Sequence, residues 1–327
     1  MKTGSVKLWE KEEYTYPAVG EFIPNIHYYL HDEDDQMRPA VVVVPGGAYR
    51  VVSHTEGEIV ALDFYERGYN TFVVTYTTNI INQQALRFQP LQDISAAVSY
   101  VRANAENLHV VSNKVTVCGF SAGSHLTGSL AVHWDAPEVQ AIEKCQNNRP
   151  DAVILSYPVI TSGEYAHRDS FVALLGEDAT EEELEYMSLE KQVTPNTPPV
   201  FLWQTVTDET VPVENSYLMA EACKKNDVPY EHHVFPQGPH GMSLGNEKWA
   251  AGDYAGTYTM EQTIEVFQMM LDNGITLPSP FDQLNIPKGT NIKPMADETI
   301  RASILPQNAD QSVAMWPTLA DLWMKRF

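Results

Sequence analysis

Short apolar runs punctuate the chain at 40–44 (Ala-Val-Val-Val-Val), 71–76 (Thr-Phe-Val-Val-Thr-Tyr), 114–118, 152–156, 199–204 and 230–235. Runs of this length, bounded by turn residues, suit strands buried on both faces. Between them the apolar spacing changes to three and four. Ile59, Leu62 and Tyr65, with Phe64 beside them, precede Arg67-Gly68 and predict a helix closed by glycine. Ile94, Ala97, Val98 and Val101 predict a second helix with one buried face. Alternation of the two periods predicts an α/β fold, a mainly parallel sheet with helices on both faces.

The pattern changes at 246–311. That stretch holds one predicted helix, 260–271, with Ile264, Phe267, Met270 and Leu271 on one face, and then Pro278, Pro280, Pro287, Pro294 and Pro306. Prolines at that spacing forbid long regular elements. Val313, Trp316, Leu319, Ala320, Trp323 and Met324 then return to helical spacing, with Pro317 fitting only a first turn. The expected organisation is one domain over 1–327, with a proline-rich insertion at 246–311 ahead of a final helix at 313–327. Such an insertion could act as a lid or a homo-oligomer contact. The acidic run from Glu177 to Glu185 reads as a solvated helix start.

Composition narrows the partners. The chain has 327 residues, 21 Lys and Arg against 43 Asp and Glu, and a formal net charge of −22. A surface this acidic repels phosphate backbones and anionic membranes, which argues against nucleic-acid and membrane partners. No run approaches the roughly eighteen apolar residues a spanning helix needs. Residues 1–10 carry no apolar stretch after their lysines, unlike a secretory signal. Cys118, Cys145 and Cys223 are too few and odd in number for a disulfide framework. These features lead to the expectation of a cytoplasmic, reducing location.

The chemistry centres on Gly119-Phe120-Ser121-Ala122-Gly123, placed between the run at 114–118 and a helical run at 124–134. A strand-to-helix turn this sharp pushes one side chain out above the sheet, and small residues two before and two after let the backbone crowd. A serine hydroxyl needs a base, and the base needs an orienting carboxylate. Asp208 follows the run at 199–204, and His240 lies in Pro236-Gln237-Gly238-Pro239-His240-Gly241 after the run at 230–235. Both stand at strand carboxyl ends, in the order serine, acid, histidine. Glu209 would point away from Asp208. His232 and His233 lie within a strand, and His125 sits on the serine's own helix, where it reads as packing. Pro45-Gly46-Gly47-Ala48-Tyr49 follows the run at 40–44, and glycines let main-chain N–H groups approach a developing oxyanion. The expected donors are Gly47, Ala48 and Ala122. Tyr49 and His54 are candidate substrate contacts, and Tyr49, Trp249, Tyr254 and Trp316 could form a sugar platform. No metal-ligand spacing is present, so neither metal nor organic cofactor is expected.

The segments Val42 to Tyr49, Gly119 to Leu126, Asp208-Glu209-Thr210-Val211-Pro212 and Pro239 to Leu244 together resemble the α/β-hydrolase esterases of the acetylesterase group, including acetyl-xylan esterases and related carbohydrate deacetylases. The resemblance covers about residues 22–244 and the final helix. It implies hydrolysis of acetate esters on xylo- or manno-oligosaccharides, with an acetylated oligosaccharide or other small ester as partner. Ala48 stands where this loop usually has a third glycine, and the insertion is longer than the family pattern leads one to expect. Three other readings share parts of the pattern: an aryl or lipid carboxylesterase, a serine peptidase-like hydrolase, and a non-catalytic binding module on the same fold.

Overall fold

In the computed structural model, which describes all residues except 19, 83, 255, 280 and 303–306, the valine run becomes the strand β3 (Arg38–Val44). Val42 and Val44 join one apolar cluster while Val41 and Val43 join another. Alternate side chains leave a strand on opposite faces, so a run without polar interruptions means a sheet covered on both sides. The sheet has eight strands in the order β1-β2-β4-β3-β5-β6-β7-β8. The others are β1 (Lys2–Lys7), β2 (Asn25–Leu30), β4 (Asn70–Thr75), β5 (Val110–Phe120), β6 (Ala152–Ser156), β7 (Val200–Thr205) and β8 (Tyr230–Phe235). From β4 to β8 every pairing is parallel. β1 and β2 extend the sheet antiparallel. The apolar pattern did not predict these two, because β1 is a half-exposed edge strand of polar composition, Lys-Thr-Gly-Ser-Val-Lys, and Asn25 and His27 interrupt the apolar residues of β2.

The labelled helices are α1 (Glu58–Glu66), α2 (Gln89–Ala103), α3 (Ala122–His133), α4 (Arg168–Leu175), α5 (Glu181–Tyr186), α6 (Glu214–Lys225), α7 (Glu261–Asp272) and α8 (Trp316–Met324). Leu91, Ile94 and Val98 of α2 and Leu126 and Leu130 of α3 pack on one face of the sheet. Ile59 and Phe64 of α1 and Trp316, Ala320 and Trp323 of α8 pack on the other. Trp316 stacks on Trp203 with ring centroids 5.3 Å apart. The chain passes from β3 outward to β4, then crosses back to β5 on the opposite flank of β3. Such a reversal opens a crevice at the strand carboxyl ends, and it lies here between the loops after β3 and β5.

The acidic run begins α5, where Thr180 and Glu183 form a capping box and the helix has no buried residue. Within 246–311, α7 buries Phe267, Met270 and Leu271 in a small cluster with Leu277 and Ile292. Gln262 of α7 accepts from the Thr78 N–H and hydroxyl, both at 2.9 Å, and donates to the Thr78 carbonyl at 3.0 Å. Pro280 and Pro306 lie outside the described residues. Among the described residues no helix is long and apolar enough to cross a membrane.

Candidate active site

Ser121 sits between β5 and α3 with φ 52° and ψ −119°. This is sparsely populated backbone for a residue with a Cβ, of a kind that costs about 1–3 kcal/mol and persists only where the surroundings hold it. The Ser121 N–H donates to the Ser156 carbonyl at 3.0 Å. Glycine at 123 is required by close approach, since a Cβ there would run into the carbonyl oxygens of Val44 and Pro45. Thus α3 starts pressed against the end of β3, and the two loops that bound the crevice are neighbours.

The structure brings three of the predicted side chains into one hydrogen-bonded line. His240 Nε2 lies 2.8 Å from Ser121 Oγ, and His240 Nδ1 lies 2.7 Å from Asp208 Oδ2. The Asp208 side chain is 0% exposed, and its Oδ1 accepts the N–H groups of Thr210 and Val211, both at 2.9 Å. Two backbone donors thus fix the carboxylate, which leaves Oδ2 to accept Nδ1–H. That places the second imidazole nitrogen as acceptor for the serine hydroxyl. The base loop is tied to the acid loop by hydroxyls: Thr205 and Thr207 donate to the Gly238 carbonyl at 2.8 and 3.2 Å.

The loop after β3 runs directly over the elbow. A Cβ added to Gly46 would stand 2.6 Å from the Phe120 carbonyl oxygen and 2.8 Å from Ser121 Cβ. Ala48 and Tyr49 then adopt φ 55° and 59°, two successive left-handed residues that are not glycine. Arg50 holds this loop through Asp169 at 2.6 Å, the Asn79 carbonyl at 3.1 Å and Asn82. Among the described residues the N–H groups of Gly47, Ala48 and Ala122 have no protein acceptor.

Several candidates fall elsewhere. Tyr49 is only 1% exposed, and its hydroxyl donates 2.8 Å to His125 Nδ1. It is a core residue and not a substrate contact, because its left-handed backbone turns the ring inward onto α3. Trp249, Tyr254 and Trp316 are likewise buried, so none of the four offers a stacking face. His54 is half-buried, its Nε2 has no partner among the described residues, and its ring lies edge-on to Tyr254. Burial, aided by Arg301, brings its imidazole down to about 4. His232 bonds Ser216, His233 bonds Glu231, and Glu209 is exposed. Two neighbours escaped the sequence reading: Glu56 and Tyr157. Tyr157 could have been found by the rule that flagged Asp208, since it directly follows β6 at its carboxyl end. Glu56, in a single 3-10 turn after the glycine loop, has no such signal.

His125 yields a pH prediction. Tyr49 donates to its Nδ1, its Nε2–H donates 2.9 Å to the Met187 carbonyl, and burial brings its imidazole down to about 4. An unfolded histidine titrates near 6.5. Above that value it is neutral in both states. Below it the unfolded chain takes up a proton that the folded chain refuses until about 4, so stability falls across that window as pH drops. The urea-unfolding free energy should therefore change less between pH 7 and pH 4.5 in His125→Gln than in the native chain, by about 2 kcal/mol. Identical pH dependence in the two proteins would contradict this assignment.

Comparison with known proteins agrees with the fold. A 258-residue segment is 50% identical to the endo-1,4-beta-xylanase B of Butyrivibrio fibrisolvens, covering 79% of this chain and 40% of that protein. An acetylxylan esterase of Xylanibacter ruminicola is 28% identical over 212 residues, 63% of this chain and 41% of that protein. The chain therefore spans about two-fifths of the length of these two curated relatives. The crystal structure of an acetyl ester-xyloside bifunctional hydrolase from Caldicellulosiruptor lactoaceticus superimposes with a TM-score of 0.67 at 34% identity, over 82% of this chain and 96% of that one. Fold, site and these likenesses define the class, a carboxylic-ester hydrolase of α/β-hydrolase architecture. Within that class the BD-FAE family matches residues 26–223, a span that holds Ser121 and Asp208 and stops short of His240. The chain belongs to the BD-FAE family.

Proposed function

We propose that this chain is a serine esterase that removes short acyl groups, acetyl above all, from acetylated xylo- or manno-oligosaccharides through an acyl-enzyme. The observation that carries the reading is the line Ser121 Oγ, His240 Nε2, His240 Nδ1, Asp208 Oδ2, with spacings of 2.8 and 2.7 Å. His240 takes the hydroxyl proton as Ser121 Oγ attacks the ester carbonyl. Asp208 holds the imidazole tautomer and stabilises the imidazolium. Negative charge moves to the carbonyl oxygen, where the N–H groups of Gly47, Ala48 and Ala122 receive it. His240 then gives its proton to the leaving sugar oxygen, which departs as an alcohol and leaves acyl-Ser121. Water, deprotonated by His240, attacks that ester, and its collapse releases the acid and restores the hydroxyl.

The sugar in this reading is supported by the names of the Xylanibacter and Caldicellulosiruptor proteins. The name of the Butyrivibrio relative invites a glycosidase reading instead. Glycoside hydrolysis uses two carboxyl groups flanking the bond, roughly 5–9.5 Å apart. The carboxylates seen at this line are Asp208, within it, and Glu56, whose charge acts on His240. Both are buried and held by hydrogen bonds, so neither is free to reach a glycosidic oxygen. Three buried free thiols suit the reducing, cytoplasmic setting that belongs to the same proposal.

The test is a substrate panel: acetylated xylo-oligosaccharide, p-nitrophenyl acetate, p-nitrophenyl octanoate and an aminoacyl amide. The expected outcome is acetate release from the sugar, a kcat/KM that falls from acetate to octanoate, and no amide cleavage. Turnover of the octanoate or the amide with no acetate released from the sugar would overturn the assignment.

A further inference from the structure

Beneath the reacting groups lies a carboxylate that the mechanism does not use. Glu56 is 4% exposed. One oxygen accepts the Gly46 N–H at 2.7 Å, and the other accepts the Tyr157 hydroxyl at 2.8 Å. Its hydrogen-bond partners, the Gly46 N–H and the Tyr157 hydroxyl, are neutral groups, and burial pushes its carboxyl upward. Burying such a group costs several kcal/mol unless its oxygens are satisfied, so its place in the fold calls for a reason.

What Glu56 joins supplies one. Gly46 directly precedes the donor residues Gly47 and Ala48, and a Cβ on it would stand 2.8 Å from Ser121 Cβ and 2.9 Å from Glu56 Oε2. Tyr157 holds φ 36° at the end of β6, and its ring meets His240 edge-on at 4.9 Å. Ser243 lies three residues beyond His240 in the same loop. The Ser243 carbonyl in turn accepts Trp316 Nε1–H at 2.7 Å, which anchors the base loop to α8. Hydrogen bonds therefore run from the glycine loop through Glu56 to Tyr157, and the edge-on contact of the Tyr157 ring carries the connection on to His240.

We infer that Glu56 and Tyr157 are positioning residues that set the glycine loop and the base loop at a fixed separation across Ser121. The inference rests on the esterase reading above. A carboxylate accepts at both oxygens, so it can take the Gly46 N–H with one and the Tyr157 O–H with the other, and the ring that bounds His240 is then held against the glycine loop before the reaction begins. Because the strut touches no substrate, its loss should fall on kcat and leave KM nearly unchanged.

Steady-state kinetics with p-nitrophenyl acetate, paired with thermal melts, test this on Glu56→Ala, Glu56→Gln and Tyr157→Phe. Glu56→Ala should lower kcat about thirtyfold, with KM within about threefold of native. Glu56→Gln keeps an acceptor for Gly46 and should recover most of that loss. Tyr157→Phe keeps the ring against His240 but removes the hydroxyl that ties it to Glu56, and should cost about tenfold in kcat. If Glu56→Ala does not fold, the Tyr157→Phe result decides. Native kcat in folded Glu56→Ala or Tyr157→Phe, or a loss confined to KM, would overturn the inference while Ser121→Ala remained inactive. An active Ser121→Ala would instead overturn the esterase reading, and this inference with it.

Discussion

Replacing Ser121 by alanine is expected to lower kcat for p-nitrophenyl acetate by about 10⁵-fold, with the melting temperature nearly unchanged. The hydroxyl makes one side-chain hydrogen bond, to His240, so its removal leaves no buried partner stranded except an imidazole that is itself part-exposed. The backbone at φ 52° carries the same strain for alanine as for serine. The stability cost is therefore small and the chemical cost large, because no other oxygen is placed to attack and water must do so unaided. A Ser121→Ala, His240→Ala double variant should be no slower than the single one, since the base has nothing left to deprotonate. Comparable turnover by Ser121→Ala and the native chain would remove the nucleophile from the proposal.

Asp208→Asn should lower kcat by about 10⁴-fold at neutral pH, with KM little changed. The cause is specific to this site. The Thr210 and Val211 N–H groups both claim Oδ1, so an asparagine would keep its oxygen there and turn its NH₂ toward His240. The imidazole would have to accept at Nδ1 and carry its proton on Nε2, aimed at Ser121 Oγ. A base protonated on the wrong nitrogen cannot take the hydroxyl proton. The kinetic loss should be accompanied by a change in the ¹⁵N shifts of His240 that reports the exchanged tautomer. A kcat within tenfold of native, or an unchanged tautomer, would show that Asp208 does not orient the base.

Much of this architecture is legible in the sequence. The runs at 40–44 and 152–156 announce buried strands because burial on both faces leaves its mark on every consecutive residue. The elbow around Ser121 is legible because the requirement is local: a cramped bend needs Gly123 whatever the rest of the chain does. Asp208 and His240 could be nominated by their places after β7 and β8. Polar edge strands such as β1 are harder to see because a half-exposed strand does not need an apolar run, and β2 went unpredicted because Asn25 and His27 interrupt its apolar residues.

Sequence alone therefore determined the strand–helix alternation, the bend that carries Ser121 and the short set of residues able to serve it, since each follows from composition and spacing over about ten residues. Tertiary structure decided the rest. It settled that Tyr49 lies in the core against His125, that Thr205 and Thr207 bind the base loop, and that Glu56 reaches Gly46 and Tyr157. Burial and hydrogen-bond partnership depend on which surfaces meet when the sheet closes, and residues as far apart as 56 and 157 carry no local mark of that meeting.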